Sequence, residues 1–192
     1  MISDVFILTG PESTGKTTLA TQLAEHFKIN LVEEYARIYL NAKKDGKYDF
    51  ADLKKIAEGQ NELEQKVFDT ISHQPSNLSK PSFTKKTFYI CDTDLITINI
   101  WSEEVYQLSA ISFQLSADSL LIPKSKRHYL LCSPQDVQWE FDPLRENPND
   151  RDRLFKIYKK TLEDYKMNFI VLEGNLAERF YKAEKFILEN LM

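Results

Sequence analysis

The sequence predicts a three-layer α/β fold, in which helices flank both faces of a five-stranded parallel sheet. Two observations lead to this prediction. Short apolar runs rich in β-forming residues recur along the 192 residues, and helical patterns separate each run from the next. Strands that are apolar almost throughout are typical of a parallel sheet covered on both faces. The alternation of strand and helix gives right-handed crossovers, which place the helices on those two faces.

The predicted elements follow one another along the chain. The strands DVFILT, NLVEE, TFYICD, HYLLCS and FIVLE occupy residues 4–9, 30–34, 87–92, 128–133 and 169–173. The helices occupy residues 16–26, 36–43, 50 to about 72, about 94 to 119, 151–166 and 176 to the end of the sequence. All of these elements fit one domain spanning residues 1–192, because a chain of this length forms one sizeable core.

Residues 134–150 interrupt the alternation. Their three prolines prevent a continuous helix, whereas Trp139, Phe141 and Arg145 are costly to expose without a purpose. We therefore predict a lid over about residues 134–150.

Composition restricts the class of function. A net charge of −4 argues against a nucleic-acid partner, since such proteins usually carry a basic excess. No apolar stretch approaches the roughly 18 residues of a membrane span, and no targeting segment is evident, so we expect a cytoplasmic protein. Cys91 and Cys132 lie in apolar strands, which favours buried thiols over a disulfide or metal ligands.

The octapeptide GPESTGKT, residues 10–17, matches the phosphate-binding loop (P-loop) pattern GxxxxGK[ST] between a strand and a helix. Its two glycines let the backbone wrap around an anion, with successive amide N–H groups directed at phosphate oxygens. Lys16 supplies charge for the β and γ phosphates, and Thr17 supplies a hydroxyl for Mg²⁺. ATP is the expected donor, since no guanine-recognition motif is evident. The predicted ATP-binding residues in this segment are Gly10, Glu12, Ser13, Thr14, Gly15, Lys16, Thr17 and Thr18.

Carboxylates follow two of the predicted strands. Asp92 and Asp94 come at the end of the third strand, where ligands gather in open α/β sheets. We expect Asp92 to bind Mg²⁺ and Asp94 to lie in the substrate site, although either could cap the following helix. Behind the second strand, Glu34 is predicted to take the proton of an acceptor hydroxyl or to hold the substrate. The alternative for Glu34 is a solvated helix start that forms an ion pair with Arg37.

Further substrate residues are expected around these carboxylates. Tyr35 and Arg37 are predicted to face the acceptor, although Tyr35 could simply pack and Arg37 could cover a helix face. Trp101 could line the acceptor pocket or belong to the core, and Trp139 could stack on a flat ring or pack beneath the lid.

The remaining predicted contacts are to the nucleotide. Arg145 and Arg151 are expected to neutralise charge on the transferred phosphoryl group, because a guanidinium bridges phosphate oxygens. The turn at Gly174 could contact adenine or only cap the last helix.

Four motifs carry a resemblance to a known family. GPESTGKTTLA, EEYAR, CDTDLIT and QWEFDPLRENPNDR follow one another as they do in the ribosylnicotinamide kinase domain of NadR-type proteins, and the chain resembles that domain over almost its whole length. The resemblance implies a P-loop kinase that transfers the γ-phosphate of ATP to the 5′-hydroxyl of nicotinamide riboside. It also implies that Lys16 and Thr17 hold phosphate and Mg²⁺, that Asp92 and Asp94 lie at metal and ribose, that Glu34 and Arg37 face the acceptor, and that Arg145 and Arg151 close from the lid.

The sequence departs from that family at Glu33, where a NadR-type protein has tryptophan near the expected nicotinamide site. Another nucleoside or nucleotide is therefore an alternative acceptor. The HxGH signature of an adenylyltransferase is missing, and no helix-turn-helix region precedes the P-loop, so we expect a stand-alone kinase. A nucleotide-dependent regulatory ATPase, with the lid as a switch, is the alternative from another class.

Overall fold

The computed structural model describes residues 4–43, 47–73, 86–106, 123, 126–140 and 149–192. Within these ranges the strands are β1 (Asp4–Thr9), β2 (Leu31–Val32), β3 (Phe88–Asp92), β4 (Arg127–Cys132) and β5 (Asn168–Leu172). The helices are α1 (Lys16–Phe27), α2 (Tyr35–Ala42), α3 (Phe50–His73), α4 (Leu95–Tyr106), α5 (Arg151–Asp164) and α6 (Leu176–Leu191).

The five strands form one parallel sheet in the order β2-β3-β1-β4-β5. Strand β1 is central, and its Leu8 lies opposite Asp92 of β3 on one side and Leu130 of β4 on the other. This order places the carboxyl ends of β1 and β3 next to each other. The P-loop therefore begins beside the aspartate that ends β3.

The two faces of the sheet are covered by different helices. Phe6 and Leu8 of β1 pack with residues of α1 and α6, whereas Val5 and Ile7 pack with residues of α4 and α5. Because successive strand residues point to opposite faces, a strand that is apolar throughout is buried on both. The predicted three-layer fold with a five-stranded parallel sheet is confirmed.

Strand β2 is shorter than predicted, and the other described boundaries lie within two residues of the prediction. Strand β2 contains only Leu31 and Val32, since Glu34 already forms the N-cap of α2. Helix α4 is described as far as Tyr106, and the predicted continuation to residue 119 lies outside the described residues. Both cysteines are buried free thiols, as predicted. No helix in the described ranges is long and apolar enough to cross a membrane.

Helix α3 holds the beginning of α2. The ring of Tyr35 lies directly over Gly59, where a Cβ atom would come within 2.1 Å of Tyr35 Cε1. The side chain of Gln60 accepts a hydrogen bond from the Tyr35 amide at 2.8 Å and donates one to the Glu33 carbonyl at 3.2 Å. Tyr35 therefore packs between helices, which is the structural alternative considered for it.

Candidate functional site

The carboxyl ends of β1 and β3 open onto a cavity of about 290 Å³. Residues 10–18 line one side of it, and side chains following β2 and from helices α2, α4 and α5 line the other. The polar and aromatic members of the second side are Glu34, Arg37, Thr97, Trp101, Glu104 and Tyr158. One cavity thus joins the predicted phosphate site to the predicted acceptor site.

The P-loop adopts a conformation that only a few residue types accept easily. Gly15 has φ of 78° and Ser13 has φ of 54°, both in the left-handed region. Gly15 is the N-cap of α1 and has no side chain to satisfy the first amide groups of the helix. The Lys16 ammonium donates to the carbonyls of Gly10 at 3.0 Å and Pro11 at 2.7 Å. The loop therefore combines an uncapped helix start with a cation.

Arg151 begins α5 and contacts the P-loop from the other side. Its guanidinium donates to the Ser13 carbonyl at 3.0 Å and to the Val137 carbonyl at 3.1 Å, while the Glu140 amide donates to Ser13 Oγ at 2.9 Å. Residues 137–140 and the start of α5 are thereby attached to the loop. A direct contact of Arg151 with phosphate stays a prediction.

Asp92 differs from the other buried carboxylates near the site. The residue is 2% exposed, and its Oδ1 has no hydrogen-bond partner among the described residues. Burial, and next to it the charge of Glu34, raises the pKa of Asp92 to about 6, although a hydrogen bond from Thr17 and the charge of Lys16 oppose this. An unpaired buried carboxylate of this kind is characteristic of functional sites.

The Asp92 and Thr17 side chains have the oxygen donors that Mg²⁺ prefers. The unpartnered Oδ1 lies on the same carboxylate that accepts the Thr17 hydrogen bond. The described residues contain no group of three or more His, Cys, Asp or Glu that could hold a metal alone. Proteins usually hold Mg²⁺ through one or two side chains together with substrate phosphates, and the oxygens of Asp92 and Thr17 are donors of the kind this requires.

Asp94 lies in a different environment, although only one residue separates it from Asp92. Its carboxylate accepts hydrogen bonds from Tyr129 at 2.7 Å, from Arg127 at 3.1 Å and from the Ile96 amide at 3.0 Å. Arg127 also pairs with Glu64 of α3 at 2.7 Å. Asp94 therefore caps α4 from within a buried ionic network and does not line the cavity. Nothing in this geometry supports its predicted substrate contact.

The acceptor side of the cavity brings together Glu34, Arg37 and Trp101. Glu34 makes no capping hydrogen bond with its side chain, and its carboxylate lies 3.6 Å from Arg37 Nε. The indole of Trp101 donates to the Tyr48 hydroxyl at 3.0 Å, which fixes the ring at the cavity wall. Glu34 therefore forms the ion pair with Arg37 and also lines the cavity, and its role as a base or substrate ligand stays a prediction.

Other predicted site residues lie elsewhere. Trp139, Tyr35 and Gly174 are described but do not line this cavity, and the Gly174 carbonyl accepts a hydrogen bond from Arg179 at 2.6 Å. Arg145 and the rest of residues 141–148 of the predicted lid lie outside the described residues.

Several residues at or near the site were not predicted, among them Glu104, Tyr158 and Arg179. Glu104 and Tyr158 line the cavity, and Arg179 donates to the P-loop carbonyl of Thr14. A sequence signal existed for Arg179, because it stands four residues before Ala183 on the buried stripe of α6. A charged residue on an apolar stripe indicates a buried partner.

The fold and the cavity define a P-loop protein. The chain belongs to the AAA domain family, whose model matches residues 5–179. Solved structures agree in fold. A NadR protein in complex with NR superposes with a TM-score of 0.72 at 19% identity, over 99% of this chain and 51% of that one. A NadR complex with NAD and AMP-PNP gives 0.69 at 20% identity, over 99% and 50%. The resemblance to NadR-type proteins is confirmed in fold.

Thymidylate kinase from Candida albicans has the same fold, with a TM-score of 0.59 at 14% identity over 98% of this chain and 92% of that one. The present chain spans about half the length of the NadR chains. A search of curated proteins found no match to this sequence.

Proposed function

We propose that this chain transfers the γ-phosphate of ATP to the 5′-hydroxyl of nicotinamide riboside, giving nicotinamide mononucleotide. The observation that carries the proposal is the cavity that the P-loop shares with Glu34, Arg37 and Trp101. Phosphoryl transfer depends mainly on holding donor and acceptor together in one electrostatically suitable site. The similarity in fold to NadR bound to NR, which we interpret as nicotinamide riboside, supports this choice of acceptor.

On the donor side, the amide groups at the start of α1 and the Lys16 ammonium bind the triphosphate. Lys16 exchanges its contacts with the Gly10 and Pro11 carbonyls for contacts with phosphate oxygens. Thr17 and Asp92 would hold Mg²⁺, which when bound neutralises charge on the β and γ phosphates. Arg151, attached to Ser13, adds a further cation at this end of the cavity.

On the acceptor side, Glu34 is the base for the 5′-hydroxyl. Val32 of β2 pairs with Cys91 of β3, so Glu34 and Asp92 follow neighbouring strands at the same end of the sheet. A base in this place can accept the hydroxyl proton as the oxygen attacks phosphorus. Arg37, 3.6 Å from Glu34, orients that carboxylate.

The charge of the cavity favours a cationic acceptor. Carboxylates outnumber cations among its described lining residues, with Glu12, Glu34, Glu104 and Glu140 against Lys16 and Arg37, and Glu104 also pairs with Arg153. The pyridinium ring of nicotinamide riboside is positively charged, whereas the bases of thymidine and deoxyadenosine are neutral. Trp101 provides a flat apolar surface for such a ring.

The test is a panel of acceptors in a coupled assay of ATP consumption. Nicotinamide riboside should give the highest kcat/KM, with thymidine and deoxyadenosine as the comparison acceptors and Lys16→Ala as the inactive control. Turnover of thymidine or deoxyadenosine without turnover of nicotinamide riboside would contradict the proposed acceptor. Slow hydrolysis that no nucleoside accelerates, but a protein partner does, would instead favour a regulatory ATPase.

A further inference from the structure

A buried arginine lies behind the P-loop. Arg179, in the first turns of α6, is 3% exposed. Its guanidinium donates to four main-chain carbonyls, those of Gly174 at 2.6 Å, Thr14 at 3.0 Å, Ser133 at 2.9 Å and Gln135 at 2.7 Å. These carbonyls belong to the three loops that follow β5, β1 and β4. One side chain therefore connects the P-loop to the loops after two other strands.

The charge of Arg179 is not neutralised by a carboxylate within the part of the chain that the structure describes. Buried arginines usually pair with Asp or Glu, because an isolated charge is costly to bury. Here the partners are carbonyl dipoles, which satisfy the hydrogen bonds and leave the positive charge in place. A net positive charge thus lies directly behind an anion-binding loop.

The bond to Thr14 also fixes the direction of one peptide group. In a planar trans peptide, the C=O of Thr14 and the N–H of Gly15 point in opposite directions. Holding the carbonyl toward Arg179 therefore holds the Gly15 amide toward the opposite side of the loop. Gly15 has no side chain to restrict the rotation of this peptide, so an external contact is needed to keep it in one orientation.

We propose that Arg179 is a positioning residue for the phosphates of the nucleotide. It presets the Gly15 amide and adds positive charge behind the loop without contacting the ligand. The inference rests on the proposed function, since it assumes that the P-loop binds a triphosphate. Preset dipoles bind an anion more tightly because they need no rearrangement when it arrives.

The experiment compares three full-length variants. Arg179→Lys keeps the charge but loses the planar fork that reaches several carbonyls, and Arg179→Met loses both. Lys182→Ala is the matched control, because Lys182 is a cation of the same helix that donates to the carbonyl of Glu173 at 3.2 Å from an exposed position. Calorimetry measures binding of inorganic triphosphate with Mg²⁺, of adenosine and of nicotinamide riboside. Because triphosphate has no adenine, its binding reports on the P-loop and not on the Gly174 turn, which is the predicted adenine contact.

Arg179→Lys should weaken triphosphate binding about tenfold, with a similar rise in KM for ATP. Its affinities for adenosine and nicotinamide riboside should stay within about twofold of the unsubstituted chain, and Lys182→Ala should match that chain throughout. Unchanged triphosphate affinity in Arg179→Lys, or an equal loss for all three ligands, would overturn the inference about Arg179 but not the proposed function. If Arg179→Met does not fold, Arg179→Lys decides the question. Failure of the unsubstituted chain to bind triphosphate would overturn the proposed function as well.

Discussion

Two aspartates at opposite edges of the same sheet are equally buried but differently surrounded. Asp4 begins β1 and Asp92 ends the neighbouring β3, and each is 2% exposed. Asp4 accepts hydrogen bonds from His128 Nε2 at 3.0 Å and from Lys126 Nζ at 3.3 Å. Asp92 keeps one oxygen without a partner in the described part of the chain. At the amino end of the sheet, the Asp4 carboxylate thus has partners for its charge. At the carboxyl end, the Asp92 carboxylate is only partly hydrogen-bonded among the described residues.

The pKa values of the two groups move in opposite directions. Burial alone would raise the pKa of Asp4, but the hydrogen bond from His128 and the charge of Lys126 outweigh it, so the pKa lies below its usual value. Burial raises the pKa of Asp92 to about 6. The difference separates a carboxylate whose charge has partners within the fold from one that fits the role of the proposed Mg²⁺ ligand.

The largest expected effect comes from the lysines near these two aspartates. Lys16→Ala should lower kcat/KM about 10³-fold while the fold is retained, because its ammonium serves the phosphates. Lys126→Ala removes the corresponding cation at the amino edge and should leave kcat/KM within about twofold. Steady-state kinetics with thermal unfolding of both variants checks this. Comparable losses of activity in the two variants would contradict the functional difference between the amino and carboxyl ends of the sheet.

Replacing the aspartates themselves should change stability in opposite directions. At neutral pH with a chelator, Asp92→Asn should raise the free energy of unfolding by about 3 kcal/mol, since a buried charge that Thr17 and Lys16 compensate only in part is removed. Asp4→Asn should lower it by about 2 kcal/mol, because His128 and Lys126 lose a charged acceptor. Urea unfolding measures both, and Asp92→Asn should at the same time be inactive. A destabilised Asp92→Asn would mean that this carboxylate is structural.

The acceptor-side carboxylate offers the next comparison. Glu34→Gln should lower kcat about 10²-fold with little change in KM for ATP, as expected for loss of a general base. Glu25→Gln is the control, because this carboxylate is exposed on α1 and does not line the cavity. Its kcat should remain within about twofold. An unchanged kcat in Glu34→Gln would mean that Glu34 serves only as the ion-pair partner of Arg37.

The smallest expected effect is a pH dependence. The folded-state pKa of Asp92, about 6, lies above its ordinary value of 3.8, so the folded chain binds the extra proton between these pH values. Without metal, this group therefore makes the chain less stable as pH rises through that window, by at most about 1.4 kcal/mol per pH unit. The stability difference between Asp92→Asn and the unsubstituted chain should grow from about pH 4 to about pH 6. Added Mg²⁺ should reduce this stability difference, since the ion binds only the folded chain in which Asp92 is ionised. A pH-independent difference would contradict this assignment.

Much of the fold could be predicted from the sequence because local patterns determined it. The apolar residues of β1, β3 and β4 are buried on both faces, and a strand of this kind is recognisable without its neighbours. The P-loop was equally recognisable, since its spacing and its place between strand and helix are local properties. The length of β2 was overestimated, because Glu33 and Glu34 directly follow the two apolar residues of this edge strand.

The site was less predictable, because its surroundings come from distant parts of the chain. Asp92 and Asp94 look alike in sequence, and only the folded chain brings Arg127, Tyr129 and, through Arg127, Glu64 to Asp94. No local pattern indicates which of two nearby carboxylates will be neutralised in this way.

The contact between Tyr35 and Gly59 links helix α3 to the segment that carries the proposed acceptor residues. Gly59 lies on α3, yet it determines how closely the start of α2 approaches, because the Tyr35 ring occupies the space a larger residue would need. A side chain at position 59 would displace the Tyr35 ring and so change the packing of the segment that carries Glu34 and Arg37. The P-loop, which lies between β1 and α1, would keep its position. Under the proposed function, a substitution at this remote position would therefore alter the acceptor side of the cavity and leave the phosphate-binding side unchanged.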